Sequence, residues 1–243
     1  MKAFLLAAGH GTRLRPLTDQ IPKCLVPIRG VPLLSIWLEI CVRLGVDEVL
    51  VNLHSHSQRV RDFLARAPVN IRTRLFEEPT LLGSAGTLRA NCAWVESESS
   101  FWVFYADILT AADLSQMADF HQRHRGVATL GVCRVPDPAR SGIVVPDEKG
   151  LIRQFIEKPE NPPGNLAFGG ILLARPELLG SIPEEGPADL SRDVLSRLVN
   201  RMFAFPITGY HLDVGTLESY QAAQTDWPGL VIPSSAPPSV LAA

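Results

Sequence analysis

Three groups of residues in this 243-residue chain have types and spacings suited to phosphate and metal chemistry. The first is Ala8-Gly9-His10-Gly11-Thr12-Arg13, which follows an apolar run and precedes Arg15. Glycines let a backbone turn with its N–H groups inward, a geometry that grips phosphate oxygens. Arg13 adds a forked donor, and Lys23, on the turn Ile21-Pro22-Lys23, a second cation. The second group is a pair of acids after apolar runs, Asp107 in Tyr105-Ala106-Asp107 and Asp213 in His211-Leu212-Asp213-Val214-Gly215-Thr216. Two such carboxylates can hold one Mg2+, which takes the rest of its shell from phosphate and water. The other reading of Asp107 is a helix cap. The third group is Leu82-Gly83-Ser84-Ala85-Gly86-Thr87, a glycine loop ahead of a helix whose N-terminus favours anions. Glu77 and Glu78 precede it. A carboxylate can accept from both N1–H and N2–H of guanine, whereas uracil and thymine offer one such donor, so this pair points towards GTP.

Several chemistries are excluded. No Gly-Lys-Ser/Thr triplet follows the first loop, so it is not a Walker loop. Leu14 stands where a dinucleotide fingerprint needs a third glycine, and no acid stands at Val51-Asn52-Leu53. Neither a GxSxG elbow nor a Ser/His/Asp chain suggests a hydrolase. A formal charge of −2 provides no broad cationic face for nucleic acid. No apolar stretch reaches the roughly eighteen residues of a membrane span, so no membrane partner is expected. Cys24, Cys41, Cys92 and Cys133 are too scattered for zinc or a disulfide framework. Free thiols, and an N-terminus that enters a strand without an export signal, point to the cytoplasm. His54 and His56 read as loop surface, His121 and His124 as solvent-facing, and Trp37, Trp94 and Trp102 as core.

The elements that must position these groups alternate. Strands are predicted over 3–7, 48–53, 71–76, 101–106 and 127–135, and helices over 32–44, 57–66, 86–95 and 114–124. This alternation implies an α/β fold with a mainly parallel sheet covered on both faces. The second half reads differently: a hairpin over 142–145 and 151–156, strands over 166–174, 202–207 and 210–214, and helices over 189–198 and 216–225. It is expected to form an antiparallel lobe, mainly 136–210, laid on the sheet's end. One domain is expected over 1–226, followed by a Pro/Ser-rich tail over 227–243.

The string LAAGHGTRLRPLT with IPKCLVPI resembles the opening motif of the sugar-1-phosphate nucleotidylyltransferases, the NDP-sugar pyrophosphorylases, in their short form without a β-helix. Gly83-Ser84-Ala85-Gly86 resembles the family's GTAG-type loop, which packs against the nucleobase. Phe155-Ile156-Glu157-Lys158-Pro159 resembles its F-x-E-K-P motif. Ser141-Gly142-Ile143-Val144 and Phe168-Gly169-Gly170-Ile171 resemble its sugar-pocket segments, Y-G-V and N-x-G-I-Y. Here Ser141 replaces the aromatic, Phe168 stands near the usual Asn, and Leu172 replaces the Tyr.

The resemblance implies a Rossmann-like, doubly wound nucleotidyltransferase fold with an antiparallel sugar lobe. The implied partners are a nucleoside triphosphate and a sugar 1-phosphate, joined to give NDP-sugar and pyrophosphate, with a homodimer as a candidate assembly. It also implies roles. Arg13, Lys23 and Asp107 are catalytic, and Asp107 and Asp213 hold Mg2+. Leu6, Ala8, Gly9, Gly11, Thr12, Arg13, Lys23, Glu78, Gly83 and Ser84 bind the nucleotide. Gly142, Glu157, Lys158, Gly169 and Gly170 bind the sugar phosphate. Adjacent strand residues point to opposite faces, so Glu157 is expected to take sugar hydroxyls and Lys158 the phosphate. The preferred pair is GTP with mannose or heptose 1-phosphate. The alternatives are an N-acetylmuramate-1-phosphate uridylyltransferase, or another user of UTP or dTTP. Two further classes are a non-catalytic NDP-sugar-binding regulatory subunit and a glycosyltransferase of similar topology, although Tyr105-Ala106-Asp107 lacks the first acid of a D-x-D motif.

Overall fold

A computed structural model describes residues 1–67 and 70–230. Most of the expected tail, 231–243, lies outside the described residues. In chain order the first half contains β1 (Lys2–Leu6), β2 (Pro27–Ile28), β3 (Val31–Pro32), α1 (Leu33–Arg43), β4 (Glu48–Leu53), α2 (Ser57–Leu64), β5 (Arg72–Glu77), α3 (Gly83–Ala90), α4 (Cys92–Val95), β6 (Phe101–Tyr105), β7 (Ile108–Thr110) and α5 (Ser115–Gln122). The second half contains β8 (Ala128–Arg134), β9 (Gly142–Pro146), β10 (Ile152–Glu157), β11 (Leu166–Ala174), β12 (Met202–Pro206), β13 (His211–Asp213) and α6 (Leu217–Asp226).

The central strands are apolar on both sides because both faces of the sheet are covered. Ala3, Leu5, Val49, Val51, Trp102 and Phe104 join one core cluster, while Phe4, Leu50, Phe101 and Val103, interleaved with them, join the other. This is the period-two alternation of a pleated strand. On one face α1 contributes Leu33, Leu34, Trp37, Ile40 and Cys41 at helical spacing. Trp37 stacks on Phe104 at 4.6 Å, and its indole N–H donates to the Ile108 carbonyl at 2.8 Å. Each fully buried large apolar side chain contributes about 1.5–3 kcal/mol relative to exposure. Trp37 and Trp102 are fully buried as expected, and Trp94 is half-buried with its edge against Phe4.

Strands β5, β4, β1 and β6 lie side by side and parallel, with Leu6 opposite Tyr105 and Leu53 opposite Glu77. Their carboxyl ends therefore form one edge, where the loops after β1, β5 and β6 meet. The antiparallel strands expected as a lobe continue this sheet: β11 pairs with β6, β9 and β8, β9 with β10, and β12 runs parallel to β8. In β11 the register with β8 shifts between Phe168 and Leu172, across Gly169 and Gly170. Gly170 takes φ +71°, a conformation that favours glycine.

Three predicted elements differ in detail. The helix expected over 86–95 starts earlier, at Gly83, and breaks at Asn91 into α3 and α4. The helix expected over 189–198 is a π turn over Leu190–Val194 followed by a 3-10 turn over Leu195–Arg197, with Asp189 accepting from the Arg192 N–H at 2.9 Å. Trp227, where the tail was expected to begin, is buried edge-on against Tyr210. Among the described residues no helix is long and apolar enough to cross a membrane.

The expectation that His121 and His124 face solvent is wrong. His121 is 2 % exposed and His124 is half-buried; both rings bond the Thr129 hydroxyl at 2.8 Å. Arg175 donates to the carbonyls of His121, His124 and Gly126, so the chain beyond α5 is tied down over β8. Burial, and then the nearby Arg175 charge, push His121 down to about 3 and His124 to about 4 from the ordinary 6.5. Below pH 6.5 the unfolded chain binds protons that the folded rings refuse, so this stability is complete above 6.5 and is lost as pH falls towards 4. The urea midpoint is expected to fall between pH 7 and pH 5, and to fall less in a His121→Asn variant; equal slopes would show that these rings do not control it.

Candidate active site

The glycine turn after β1 is shaped by close approach. Gly11 has φ +62°, and a Cβ there would sit 3.0 Å from the Thr18 methyl and 3.2 Å from the Lys23 Cβ. The Thr18 hydroxyl closes the turn by donating to the Gly11 carbonyl at 2.8 Å. Thr12 opens a short 3-10 turn whose Leu14 is fully buried, so Arg13 and Arg15 diverge from it. Arg13 turns to Asp213, 3.9 Å away, while Arg15 pairs with Asp19 on the surface. Of the two arginines beside the loop, Arg13 alone joins the acids.

Lys23 opens another 3-10 turn and is only 11 % exposed. Its ammonium lies 2.6 Å from Asp107 Oδ2 and 4.0 Å from Asp213 Oδ1. Asp107 is followed by β7 and caps no helix. Asp213 reaches the same place because β13 pairs antiparallel with β7, Asp213 opposite Ile108, and the Val214 N–H donates to the Asp107 carbonyl at 2.9 Å. Gly215 leaves the space that this needs, since a Cβ there would lie 2.6 Å from Asp213 Oδ1 and 2.7 Å from Arg13 Nη2. Half of the Asp213 side chain is open to solvent, yet its carboxyl is held above the usual range. Desolvation on its cleft side is the first cause and the like charge of Asp107 the second, opposed by Lys23, Arg13 and Arg140.

Two carboxylates converging on one ammonium, with no third His, Cys, Asp or Glu joining them among the described residues, form an all-oxygen donor pair. That set fits Mg2+, which is satisfied by few carboxylates when phosphate and water supply the rest.

Beside the acids lies a cavity of about 260 Å³. Leu6, Ala8, Gly9, Lys23, Glu78, Gly83, Ser84 and Asp107, all expected at a nucleotide or metal site, line it. Asn52, Leu81, Tyr105 and Asp189 line it as well and were not foreseen as site residues. Asn52 reads in sequence as one polar residue in the apolar run EVLVNL. Asp189 reads as a cap, a role it also fills.

Glu78 is 2 % exposed and its carboxylate is committed internally. Oε1 accepts from Asn52 Nδ2 at 2.8 Å and from the Thr87 hydroxyl at 2.5 Å, and Oε2 accepts from the Leu82 N–H at 3.0 Å. Asn52 Oδ1 in turn accepts from the Ala7 N–H at 2.6 Å. The chain Ala7–Asn52–Glu78–Leu82 thus locks one glycine loop to the other. Glu77 points away, paired with Arg61 and Ser57. Both Glu78 oxygens thus carry internal hydrogen bonds, while the residue also lines the cavity. Ser84 is likewise engaged, donating to Asp189 Oδ2 at 3.1 Å and accepting from the Leu190 N–H at 2.7 Å. Gly83 has φ +76°, and a Cβ there would collide with the Ala188 carbonyl, which accepts from the Ala85 and Gly86 N–H groups.

The residues expected on the sugar side do not line this cavity; Gly170 approaches it through its contact with Tyr105. Gly142 opens β9 opposite Glu157, and a Cβ on it would lie 2.9 Å from Glu157 Oε2. A Cβ on Gly169 would meet the His211 ring, and one on Gly170 would meet Ile108 and Tyr105. Lys158 and Glu157 do not point to opposite faces. Lys158 lies past the end of β10 with φ +48°, off the strand's alternation, and its ammonium sits 3.6 Å from Glu157 Oε1. His54 is half-buried, bonded to the Glu78 carbonyl, and His56 is exposed.

A mannose-1-phosphate guanylyltransferase of Arabidopsis thaliana is 32% identical over 227 residues, covering 90% of this chain and 63% of the relative. A mannose-1-phosphate guanyltransferase of Schizosaccharomyces pombe is 32% identical over 229 residues, covering 90% of this chain and 62% of the relative. The chain thus spans somewhat under two thirds of the length of the curated relatives it matches. A crystal structure of a UDP-glucose pyrophosphorylase with UDP-glucose superposes with a TM-score of 0.81 at 21% identity, covering 93% of this chain and 97% of that one. The nucleotidyl transferase family profile matches residues 2–228, and the chain belongs to that family.

Proposed function

We propose that this chain transfers a nucleotidyl group from a nucleoside triphosphate to a sugar 1-phosphate, releasing pyrophosphate, with GTP and mannose 1-phosphate as the leading pair. The observation that carries the reading is Lys23, held between Asp107 and Asp213 beside a glycine turn and Arg13. The choice of guanine and mannose rests on the guanylyltransferase relatives, since Glu77 and Glu78 already make bonds within the protein.

Both substrates are anions, so bringing them together is the main electrostatic problem. Catalysis here is positioning and charge neutralisation, with no covalent intermediate on the protein. The Gly9–Gly11 turn and Gly83 offer backbone approach to the nucleotide. Arg13, at the mouth, faces the departing pyrophosphate. Lys23, released from Asp107 when phosphate oxygens arrive, neutralises the α-phosphate or the incoming sugar phosphate. Lys158 holds the sugar phosphate and Glu157 the sugar hydroxyls. Asp107 and Asp213 would hold Mg2+, which would supply positive charge to neutralise phosphate. Buried free Cys24, its thiol pushed up to about 12 by burial, and buried free Cys41 suit a reducing, cytoplasmic setting.

Lys23→Ala and Asp107→Asn are each expected to lower turnover at least about 100-fold, the range for removed electrostatic stabilisers, while the protein stays folded. Pyrophosphate release is the readout, and near-normal rates in both variants would remove these roles. A panel of five nucleoside triphosphates against several sugar 1-phosphates should show the highest kcat/KM for GTP with mannose 1-phosphate, and none of it without Mg2+. Glu78→Gln is expected to lower unfolding stability by about 1–3 kcal/mol, because a buried acceptor is lost, while leaving the ranking of bases unchanged. A reordered base preference would restore Glu78 as a base reader.

A further inference from the structure

A turn that keeps its N–H groups free for a ligand cannot use them to hold itself in place. The glycine turn after β1 meets this difficulty. Its entry is fixed where Asn52 Oδ1 accepts from the Ala7 N–H at 2.6 Å. Its exit is fixed at the Gly11 carbonyl, which accepts from the Thr18 hydroxyl at 2.8 Å and from the Leu14 N–H at 2.9 Å. Between these points the backbone of Ala8, Gly9 and His10 makes no hydrogen bond among the described residues. Gly9 and His10 are exposed, and His10 stands between two glycines, where the chain has most freedom to lose.

The contacts that hold this tip come from the His10 side chain. Its Nδ1 lies 3.2 Å from the Ser55 hydroxyl, which can donate or accept and so suits either tautomer. The ring also meets the His54 ring edge-on, with centroids 5.1 Å apart. His54 is fixed in its turn. Its Nδ1 carries the proton, because the Glu78 carbonyl 2.8 Å away can only accept. The Glu78 N–H donates to the Leu53 carbonyl at 2.8 Å, so this support is anchored to the end of β4. The same segment reaches two further loops. The Ser57 hydroxyl donates to Glu77 Oε1 at 2.7 Å, and Arg59 donates to the Gln20 carbonyl on the stretch that leads to Lys23. The chain between β4 and α2 thus braces the loops that follow β1 and β5.

We propose that His10 is a positioning residue: pinned by Ser55 and His54, it holds the tip of the glycine turn in the shape that receives nucleotide phosphate. With the tip held beforehand, little ordering is left to be done when the nucleotide binds. The inference rests on the function proposed above and deepens it, since His10 acts there through the backbone on either side of it.

The test uses His10→Ala, Ser55→Ala, the two combined, and His10→Asn, whose amide stands where Nδ1 does. With GTP and mannose 1-phosphate, each alanine variant is expected to raise the nucleotide KM about 5-fold, the size of one net hydrogen bond. Both should leave kcat and the sugar 1-phosphate KM within about twofold, because the loss is in nucleotide binding alone. The combined variant should be no worse than the poorer single one, since one bond is lost in all three. His10→Asn should recover most of the loss. Amide hydrogen exchange gives a second readout: the bonded N–H groups of Ala7 and Leu14, at the two ends of the turn, should exchange about threefold faster in His10→Ala, with β4 and β6 unchanged. Equal rises in both KM values, effects that multiply in the combined variant, or unchanged exchange at Ala7 and Leu14 would overturn the proposal. If the wild type releases pyrophosphate with no pair of substrates, the proposed function falls, and exchange alone judges the brace: faster exchange confined to the turn upholds it, and unchanged exchange sinks it.

Discussion

Two carboxylates brought together at the end of a hydrophobic sheet repel each other, and everything at this site answers that repulsion. Asp107 and Asp213 come from strands joined edge to edge, and the ammonium of Lys23 sits between them. Charges this close in a partly desolvated cleft interact far more strongly than in water. The cation therefore stabilises the unliganded arrangement, and on the function proposed above the same local charge would draw in phosphate oxygens. Lys23 can serve both states because its turn is pinned from beneath by buried Cys24 and beside by Gly11. Arg13 adds charge at the mouth, where a group can exchange partners without being stripped of solvent.

A second constraint is the rigidity of the loops. Glycine loops suit close backbone approach only if they do not wander, since a loose loop loses binding energy to ordering. Here the looseness is removed by a buried polar chain from Ala7 through Asn52 and Glu78 to Leu82, and by the backbone stitching of residues 83–86 to Ala188. Every carboxylate oxygen of Glu78 is satisfied, which is what makes burying it tolerable. Glu78 thus ties the two loops together, and Gly9 and Gly83 of those loops line the cavity.

The strands were legible because their pattern is local. EVLVNL and LAFGGILLA occupy the ranges expected, since long apolar runs bounded by turns have few other solutions. The regular helix expected over 189–198 is instead a π turn followed by a 3-10 turn, although the Asp189 cap is present. His121 and His124 look polar in sequence, but the Thr129 hydroxyl supplies each ring with a hydrogen-bond partner, and Arg175 ties down their backbone carbonyls. Glu157 and Lys158 were assigned to opposite faces on strand geometry. The strand ends between them, and the positive φ of Lys158 removes the alternation.

The sequence alone determined the glycine turns, the cations beside them, the two acids after apolar strands and the α/β alternation. Each is set by residue type and short-range spacing. Only the tertiary structure decided which groups meet: that Asp213, over a hundred residues after Asp107, lies beside it through β13–β7 pairing, that Arg13 joins the acids and Arg15 does not, and that Glu78 and Asp189, distant in sequence, line one cavity. Those outcomes depend on long-range strand register and on which buried polar atoms find partners, and neither is encoded in the neighbours of a residue along the chain.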